Sequence, residues 1–185
     1  MVVMETMQQQ LISTSSALLC AGICSIHDVR ERRIPNLVVV PAIAAGLTLH
    51  TVFGGWHGLA DSALAGLIAG AIFLIFFLVG GMGGGDVKLM VAVGCIAGLT
   101  PLRLVIVATA IAGGVFAIAV SLYHGRLRET LGNVGAVLQH HGQRGFEPHP
   151  DLNLTNPRTL RLPFALPIAA GCLFTLCSLA SEAYL

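Results

Sequence analysis

The sequence has few charged residues. Asp, Glu, Lys and Arg make up 10% of the 185 residues, whereas a soluble domain carries about a quarter. Hydrophobic residues account for 55%, and the formal net charge is only +1, which excludes an intrinsically disordered chain. Residues 1–29 contain no Lys or Arg, so the basic start of a secretory signal is missing. The composition indicates a polytopic helical membrane protein.

The cysteines also lack the spacing of a disulfide framework or a zinc site. Their number is odd, no CxxC pair occurs, and all five lie in apolar stretches: Cys20, Cys24, Cys95, Cys172 and Cys177. This pattern favours small buried side chains.

Six apolar segments are candidates to cross a bilayer, which takes about 20 apolar residues and fewer where neighbours shield the helix. They cover residues 11–26, 37–53, 59–79, 87–99, 102–123 and 162–179. The turn-rich residues 54–58 separate the second segment from the third. We therefore expect an all-α fold of about six transmembrane helices, forming a single membrane-embedded domain over residues 1–185.

One long polar segment, residues 124–161, follows the fifth predicted helix. Its first half predicts an interfacial amphipathic helix, because four apolar residues recur at helical spacing: Leu127, Leu131, Val134 and Leu138. Residues 142–157 are rich in Pro, Asn, Asp and Gly, and this composition predicts a loop.

The distribution of basic residues predicts the orientation. Nine of the ten Lys and Arg residues fall on one side, eight of them in the loops after the first and fifth predicted helices and Lys88 where the fourth begins, and only Arg103 lies on the other side. Cytoplasmic loops of membrane proteins carry an excess of positive charge. The sequence therefore predicts that the loops after the first, third and fifth predicted helices are cytoplasmic and that both termini face away from the cytoplasm.

Three acidic residues lie within or against apolar segments, where ionisable groups are costly and usually functional. Asp61 fits an interfacial acid or one at a helix N-terminus. Asp28 ends the first predicted helix and Asp86 begins the fourth, two crossings later, so both carboxylates are expected on the same side. Two neighbouring carboxylates tend to share a proton, and such a pair can activate water while protonating a carbonyl or a leaving nitrogen.

The glycine-rich segment 80–85 immediately precedes Asp86. Without side chains it would let another backbone or an extended peptide approach closely. Irregular backbone at membrane depth is tolerated where protein or a watery cavity surrounds it. A flexible hinge and close helix packing are alternative interpretations. A phosphate-binding loop is less favoured, because the Gly-Lys-Ser/Thr ending is absent.

These motifs resemble those of a known family. Residues 83–86, GGGD, match the GxGD signature of membrane aspartyl proteases, and residues 86–89, DVKL, match its continuation in prepilin peptidases. Residues 28–36, DVRERRIPN, resemble the first-aspartate motif of that family, and residues 162–167, LPFALP, resemble more loosely the start of its last helix. The chain is thus similar to type IV prepilin leader peptidases over about residues 11–181.

The resemblance implies an aspartic endopeptidase that removes the leader of type IV prepilins at the cytoplasmic face of the bacterial inner membrane. Asp28 and Asp86 would be the catalytic residues, without metal or organic cofactor. Gly83, Gly84, Gly85 and Lys88 would contact the substrate. The expected partners are prepilins or pseudopilins and the lipid bilayer, but not nucleic acid. Larger members carry an N-terminal region with paired CxxC motifs linked to methylation. This sequence does not contain that region, so the resemblance does not extend to methyltransferase activity, and it suggests the compact branch that serves tight-adherence (Flp-type) pili.

Two other functions use the same residues. A small proton or ion transporter would also place carboxylates in the membrane, although a relay favours acids at several depths. A non-catalytic pilus-assembly scaffold would not need two buried acids.

Lys88 can alternatively be a boundary cation that extends to the interface. A metal cluster is disfavoured for the four histidines of the long polar segment, His124, His140, His141 and His149, because acids or cysteines at ligand spacing are lacking.

Overall fold

The fold is built from helices. A computed structural model describes residues 2–79, 81–125 and 163–183, and Gly132 alone between them. The regular secondary structure in these residues consists of α1 (Val2–Glu31), α2 (Asn36–Leu78), α3 (Gly84–Ala97), α4 (Leu99–Tyr123) and α5 (Ala165–Ala183). The predicted all-α membrane architecture is confirmed.

Four of the described helices are long and apolar enough to cross a membrane, judged by length and composition. They are residues Met7–Glu31 of α1, together with α2, α4 and α5. The fifth, α3, has 14 residues and is shorter than the roughly 20 residues of a typical span. The predicted count of about six crossings is not confirmed and stays a prediction, as does the single domain over the whole chain.

Helix α2 is interrupted near its middle. As one straight helix its 43 residues would extend about 65 Å, twice a hydrocarbon core of about 30 Å. Gly55 leaves the helical conformation, with φ 58° and ψ −139°. A Cβ at Gly58 would collide with the carbonyl of His50, although these residues would lie about 12 Å apart along a continuous helix. The chain therefore reverses at Gly55, and the arms 36–54 and 56–78 of α2 match the second and third predicted segments.

Helix α3 packs against both arms of α2. Gly46 of the first arm lies against the backbone of Cys95, and Gly66 of the second arm lies against the Cys95 side chain. A Cβ at Gly94 of α3 would lie 2.7 Å from the carbonyl oxygen of Ala65. Small residues thus let these helix backbones approach closely. As a result α3 is largely buried, and it provides several of the core side chains: Leu89, Met90, Val93 and Ile96.

Helix α5 packs against α1 and α4 and completes the bundle. Gly171 of α5 lies against Thr109 of α4, where a Cβ would collide with the threonine hydroxyl. Buried cysteines contribute to the core, as the sequence predicts: Cys20, Cys24, Cys95 and Cys172 are buried and have free thiols. Cys177 is the exception and is exposed.

Several predicted helix boundaries are wrong. Helix α1 begins at Val2 rather than residue 11, α3 covers Gly84–Ala97 rather than 87–99, and α4 begins at Leu99 rather than residue 102. The first helix was expected over residues 11–26, but α1 continues to Glu31 and places Asp28 inside its last turns rather than after its end. The polar residues there mark where the apolar surface ends, and they do not prevent helical hydrogen bonding. The last helix begins at Ala165 instead of near residue 162, because Pro163 precedes it and biases the backbone there away from helix.

The predicted interfacial helix with its apolar residues at 127, 131, 134 and 138, and the predicted loop 142–157, lie outside the described residues. His140, His141 and His149 lie there as well. His124 is described: it follows α4, and its Nδ1–H donates to the carbonyl of Val120 at 2.9 Å.

Candidate active site

Asp28 lies near the end of α1 and is half-buried. Its Oδ2 accepts a hydrogen bond from the N–H of Ala165, the first residue of α5, at 3.4 Å. The helix ends just beyond it, where Arg32 takes a positive φ of 52° and donates its N–H to the carbonyl of Asp28 at 2.9 Å. The Asp28 carboxylate therefore joins the end of α1 to the start of α5.

Asp86 lies in the first turn of α3 and is only 8% exposed. The residue before the helix is Gly83, which has no side chain to cap it. Instead, Oδ2 of Asp86 accepts the N–H of Gly83 at 3.2 Å. A carboxylate in the first turn also interacts favourably with the helix dipole. These local interactions account for an acid at this position, but an exposed acid would serve them equally well, so they do not account for its burial.

The fold brings the two carboxylates together. They lie close enough to interact electrostatically, although 58 residues separate them in sequence. Among the described residues, the hydrogen bonds to each carboxylate fall on Oδ2, which leaves Oδ1 available. Electrostatic repulsion between two partly desolvated carboxylates favours a state in which one of them is protonated. This arrangement can accept a proton at one carboxylate and donate one from the other.

The two sequence motifs also contact each other beyond their aspartates. The side chain of Ile34, in the connection between α1 and α2, lies against Gly85. The Nζ of Lys88 donates to Oδ1 of Asn36 at 3.2 Å, in an exposed position. The end of the first motif is thus packed on the beginning of α3. Sequence reasoning missed this role of Ile34, because a single Ile before a proline has no distinguishing pattern.

The glycines before Asp86 differ in how much space surrounds them. A Cβ at Gly85 would lie 3.2 Å from the Ile34 Cβ, and one at Gly83 would lie 3.2 Å from Asp86 Oδ2. At Gly84 the nearest atom is on Phe77, at 3.4 Å, and at Gly81 it is the Phe76 carbonyl oxygen, at 3.6 Å. Gly83 itself has an ordinary extended backbone, with φ −79°. The absent side chains at Gly83 and Gly85 therefore let Asp86 and Ile34 lie close to the backbone, and no special backbone conformation is involved at Gly83. Gly80 lies outside the described residues.

One contact of the pair could not be expected from sequence spacing. The N–H of Ala165 reaches Asp28 across 137 residues, and the only sequence signal for it is the LPFALP segment at the start of the last helix.

Asp61, by contrast, lies at the far end of α3, where it accepts the N–H of Leu99 at 3.1 Å. No group of three or more His, Cys, Asp or Glu residues within the described ranges is placed to hold a metal ion.

The comparisons with known proteins bear on the same segment. The family model of the type IV leader peptidase family matches residues 15–118, which include both Asp28 and Asp86. No curated protein and no solved structure matches the chain. The family match covers more than half of the sequence, and it agrees with the apolar helices of the fold. The chain therefore belongs to the type IV leader peptidase family and is a multi-pass membrane peptidase.

Proposed function

We propose that this protein is an aspartic endopeptidase that removes the leader of type IV prepilins of the Flp class, with Asp28 and Asp86 as its catalytic residues. The observation that carries the proposal is the juxtaposition of these two carboxylates at the ends of α1 and α3. Membership of the peptidase family and the GxGD motif at residues 83–86 support it.

The proposed chemistry uses the two carboxylates in opposite protonation states. The ionised carboxylate accepts a proton from water as the water oxygen attacks the scissile carbonyl carbon. The protonated carboxylate donates its proton to the carbonyl oxygen, which gives a gem-diol. The first carboxylate, now protonated, gives its proton to the leaving nitrogen while the second takes a proton from a gem-diol hydroxyl, and the C–N bond breaks. Because Oδ2 of each aspartate is occupied by a backbone N–H, we assign the proton transfers to the two Oδ1 atoms.

The substrate bond must be extended to be attacked, since a helix shields its own peptide groups. We propose that the extended segment lies beside Gly83, Gly84 and Gly85, where the enzyme backbone carries no side chains. The exposed Nζ of Lys88 would meet a carboxylate or carbonyl of the substrate close to the cleaved bond, in exchange for its contact with Asn36.

The proposed location is the bacterial inner membrane, with the aspartates facing the cytoplasm. Basic residues support this orientation: Arg30, Arg32 and Arg33 follow Asp28, and Lys88 follows Asp86. Positive charge at one end of a helical bundle favours the cytoplasmic side.

A reconstitution assay tests the proposed function. The purified protein in proteoliposomes is given a Flp-type prepilin, and the product masses are measured. We expect a single cut that separates the leader from the hydrophobic segment, and no product with the double variant Asp28→Asn/Asp86→Asn. An intact prepilin after incubation with correctly inserted wild-type protein would contradict the proposal, as would the same product from the double variant.

A further inference from the structure

The end of α3 farthest from Asp86 is held by an unusual set of side chains. Helices α3 and α4 meet there at Gly98, which has a φ of 79° in the left-handed region that favours glycine. A Cβ at Gly98 would lie 2.7 Å from Oδ2 of Asp61 and 2.8 Å from Cε1 of His50. The break between the two helices is thus enclosed by an acid and a histidine from the two arms of α2.

Two of the last three carbonyls of α3 accept hydrogen bonds from side chains of α2. The hydroxyl of Ser62 donates to Cys95 at 2.7 Å, and Nε2–H of His50 donates to Ile96 at 2.9 Å. The single hydroxyl hydrogen of Ser13 goes to the Gln10 carbonyl within α1, at 3.0 Å, and the Ala97 carbonyl lies at 3.5 Å from the same oxygen. On the other side of the break, the N–H of Leu99 donates to Asp61 at 3.1 Å. The final carbonyls of a helix otherwise lack partners within the helix.

The bonds from His50 and Ser62 to the carbonyls of α3 oppose movement of this helix along its axis, and the bond from Leu99 to Asp61 holds the adjoining start of α4. Asp86 and Ala97 lie about 16 Å apart along the helix, so a displacement at one end is carried to the other. A slip of one residue would move Asp86 by about 1.5 Å. Bonds from His50 on the first arm of α2 and from Ser62 on the second arm oppose such a slip.

We propose that His50, Asp61 and Ser62 form a distal anchor that sets the axial position of α3 and thereby aligns Asp86 with Asp28. They are positioning residues, and the inference rests on the proposed function of the aspartate pair. The anchor also gives Asp61 a role that its sequence position did not reveal.

A cavity lies next to the anchor, and it lets us distinguish an effect on the position of α3 from an effect on folding. It is an open pocket of about 240 Å³, and polar side chains such as Gln9, Gln10 and His57 line it together with small and apolar residues. Water that enters a polar cavity of this size can satisfy groups exposed by a truncated side chain. An anchor variant can therefore fold and insert while α3 is held less well.

A disulfide reporter tests the anchor without relying on activity. Cysteines are introduced by Ile34→Cys and Gly85→Cys, where the Cβ positions are 3.2 Å apart, so a shift of a few tenths of an ångström brings them into the range of about 3.5–4.5 Å found in disulfides. The rate of bond formation is compared between Asp61→Asn, which retains an acceptor oxygen, and Asp61→Leu, which does not. Peptide mass spectrometry identifies the bonded pair among the native cysteines.

We expect Asp61→Asn to form the bond at the wild-type rate and Asp61→Leu to form it about tenfold more slowly, because disulfides tolerate a narrow range of geometry. In the cleavage assay Asp61→Leu should lower kcat by about 10²-fold with KM nearly unchanged, and Asp61→Asn should restore it. Equal bond formation in the two variants would overturn the anchor.

The outcome does not depend on the proposed function. If the wild-type protein cleaves no prepilin, the proposed function fails, and the disulfide rates still decide whether the anchor positions α3. Should Asp61→Leu fail to insert, Ser62→Ala removes one hydroxyl from the same anchor with little change in volume. Its bond formation is then compared with that of Ser16→Ala, whose hydroxyl bonds only within α1 in an exposed position. Slower formation in Ser62→Ala supports the anchor, and equal rates refute it.

Discussion

Replacing Gly85 by valine should impair the site through a specific collision. The new Cβ would lie 3.2 Å from the Ile34 Cβ and 3.4 Å from its Cγ1 and Cδ1. Carbon atoms pack best at about 3.5–4.0 Å, so the connection that carries Ile34 must move away from α3 before the two added methyl groups are counted. Overpacking of this kind costs about 1–3 kcal/mol. If the strain is relieved by moving Asp86 away from Asp28, and the activation free energy rises by the same amount, the cleavage rate falls by about five- to 150-fold.

Gly81→Val is the matched control for this prediction. Its Cβ would lie 3.6 Å from the carbonyl oxygen of Phe76, which is an ordinary contact. The measurement is the cleavage rate per unit of folded, membrane-inserted enzyme. Ile34→Ala removes Cγ1 and Cδ1, so it should partly restore the activity of Gly85→Val. Equal specific activities of Gly81→Val and Gly85→Val would refute the reasoning, as would a complete absence of rescue.

Three further outcomes are expected. Gly55→Ala should lower the free energy of unfolding by about 1–3 kcal/mol, because its φ of 58° and ψ of −139° suit glycine alone. Thermal unfolding in detergent measures this. Gly22→Ala is the control that should not destabilise, since it lies inside α1 and nothing outside its own helix backbone lies within 4 Å of its Cβ position. A membrane-impermeant thiol reagent applied from outside should label His57→Cys but not Gly145→Cys, and the reverse pattern would overturn the predicted orientation. Lys88→Met should raise KM more than it lowers kcat, and an unchanged KM would remove Lys88 from the substrate contacts.

Much of the architecture follows from local pattern. The glycines at 54–58 predict the reversal that splits α2, because Gly55 alone tolerates the backbone conformation found there. The placement of Asp28 and Asp86 at one end follows from counting crossings between them, and the fold brings the two carboxylates into electrostatic range. These features depend on residues close in sequence or on the parity of crossings, both of which a sequence displays.

The missed features depend on distant partners. His50 occupies an apolar run like any core histidine, and only the packing of α2 on α3 places its ring beside the carbonyl of Ile96. The bond from Ala165 to Asp28 likewise requires α5 to fold back against α1. The extension of α1 past Asp28 was missed for another reason, since hydrophobicity marks where an apolar surface ends and not where helical hydrogen bonding ends.

The cleavage rates of Asp28→Asn and Asp86→Asn test the central claim most directly. Each is measured on prepilin per unit of inserted enzyme, beside the double variant and with Asp61→Asn as a control acid. Asparagine keeps the shape of the side chain but cannot exchange a proton. Each single variant should therefore lose at least about 10²–10⁴-fold in rate. The double variant should be no less active than the less active of the two single variants, because the two carboxylates act as one unit. Asp61→Asn should retain nearly full activity. Substantial cleavage by either single variant, with the protein inserted at wild-type levels, would contradict the assignment of Asp28 and Asp86 as the catalytic pair.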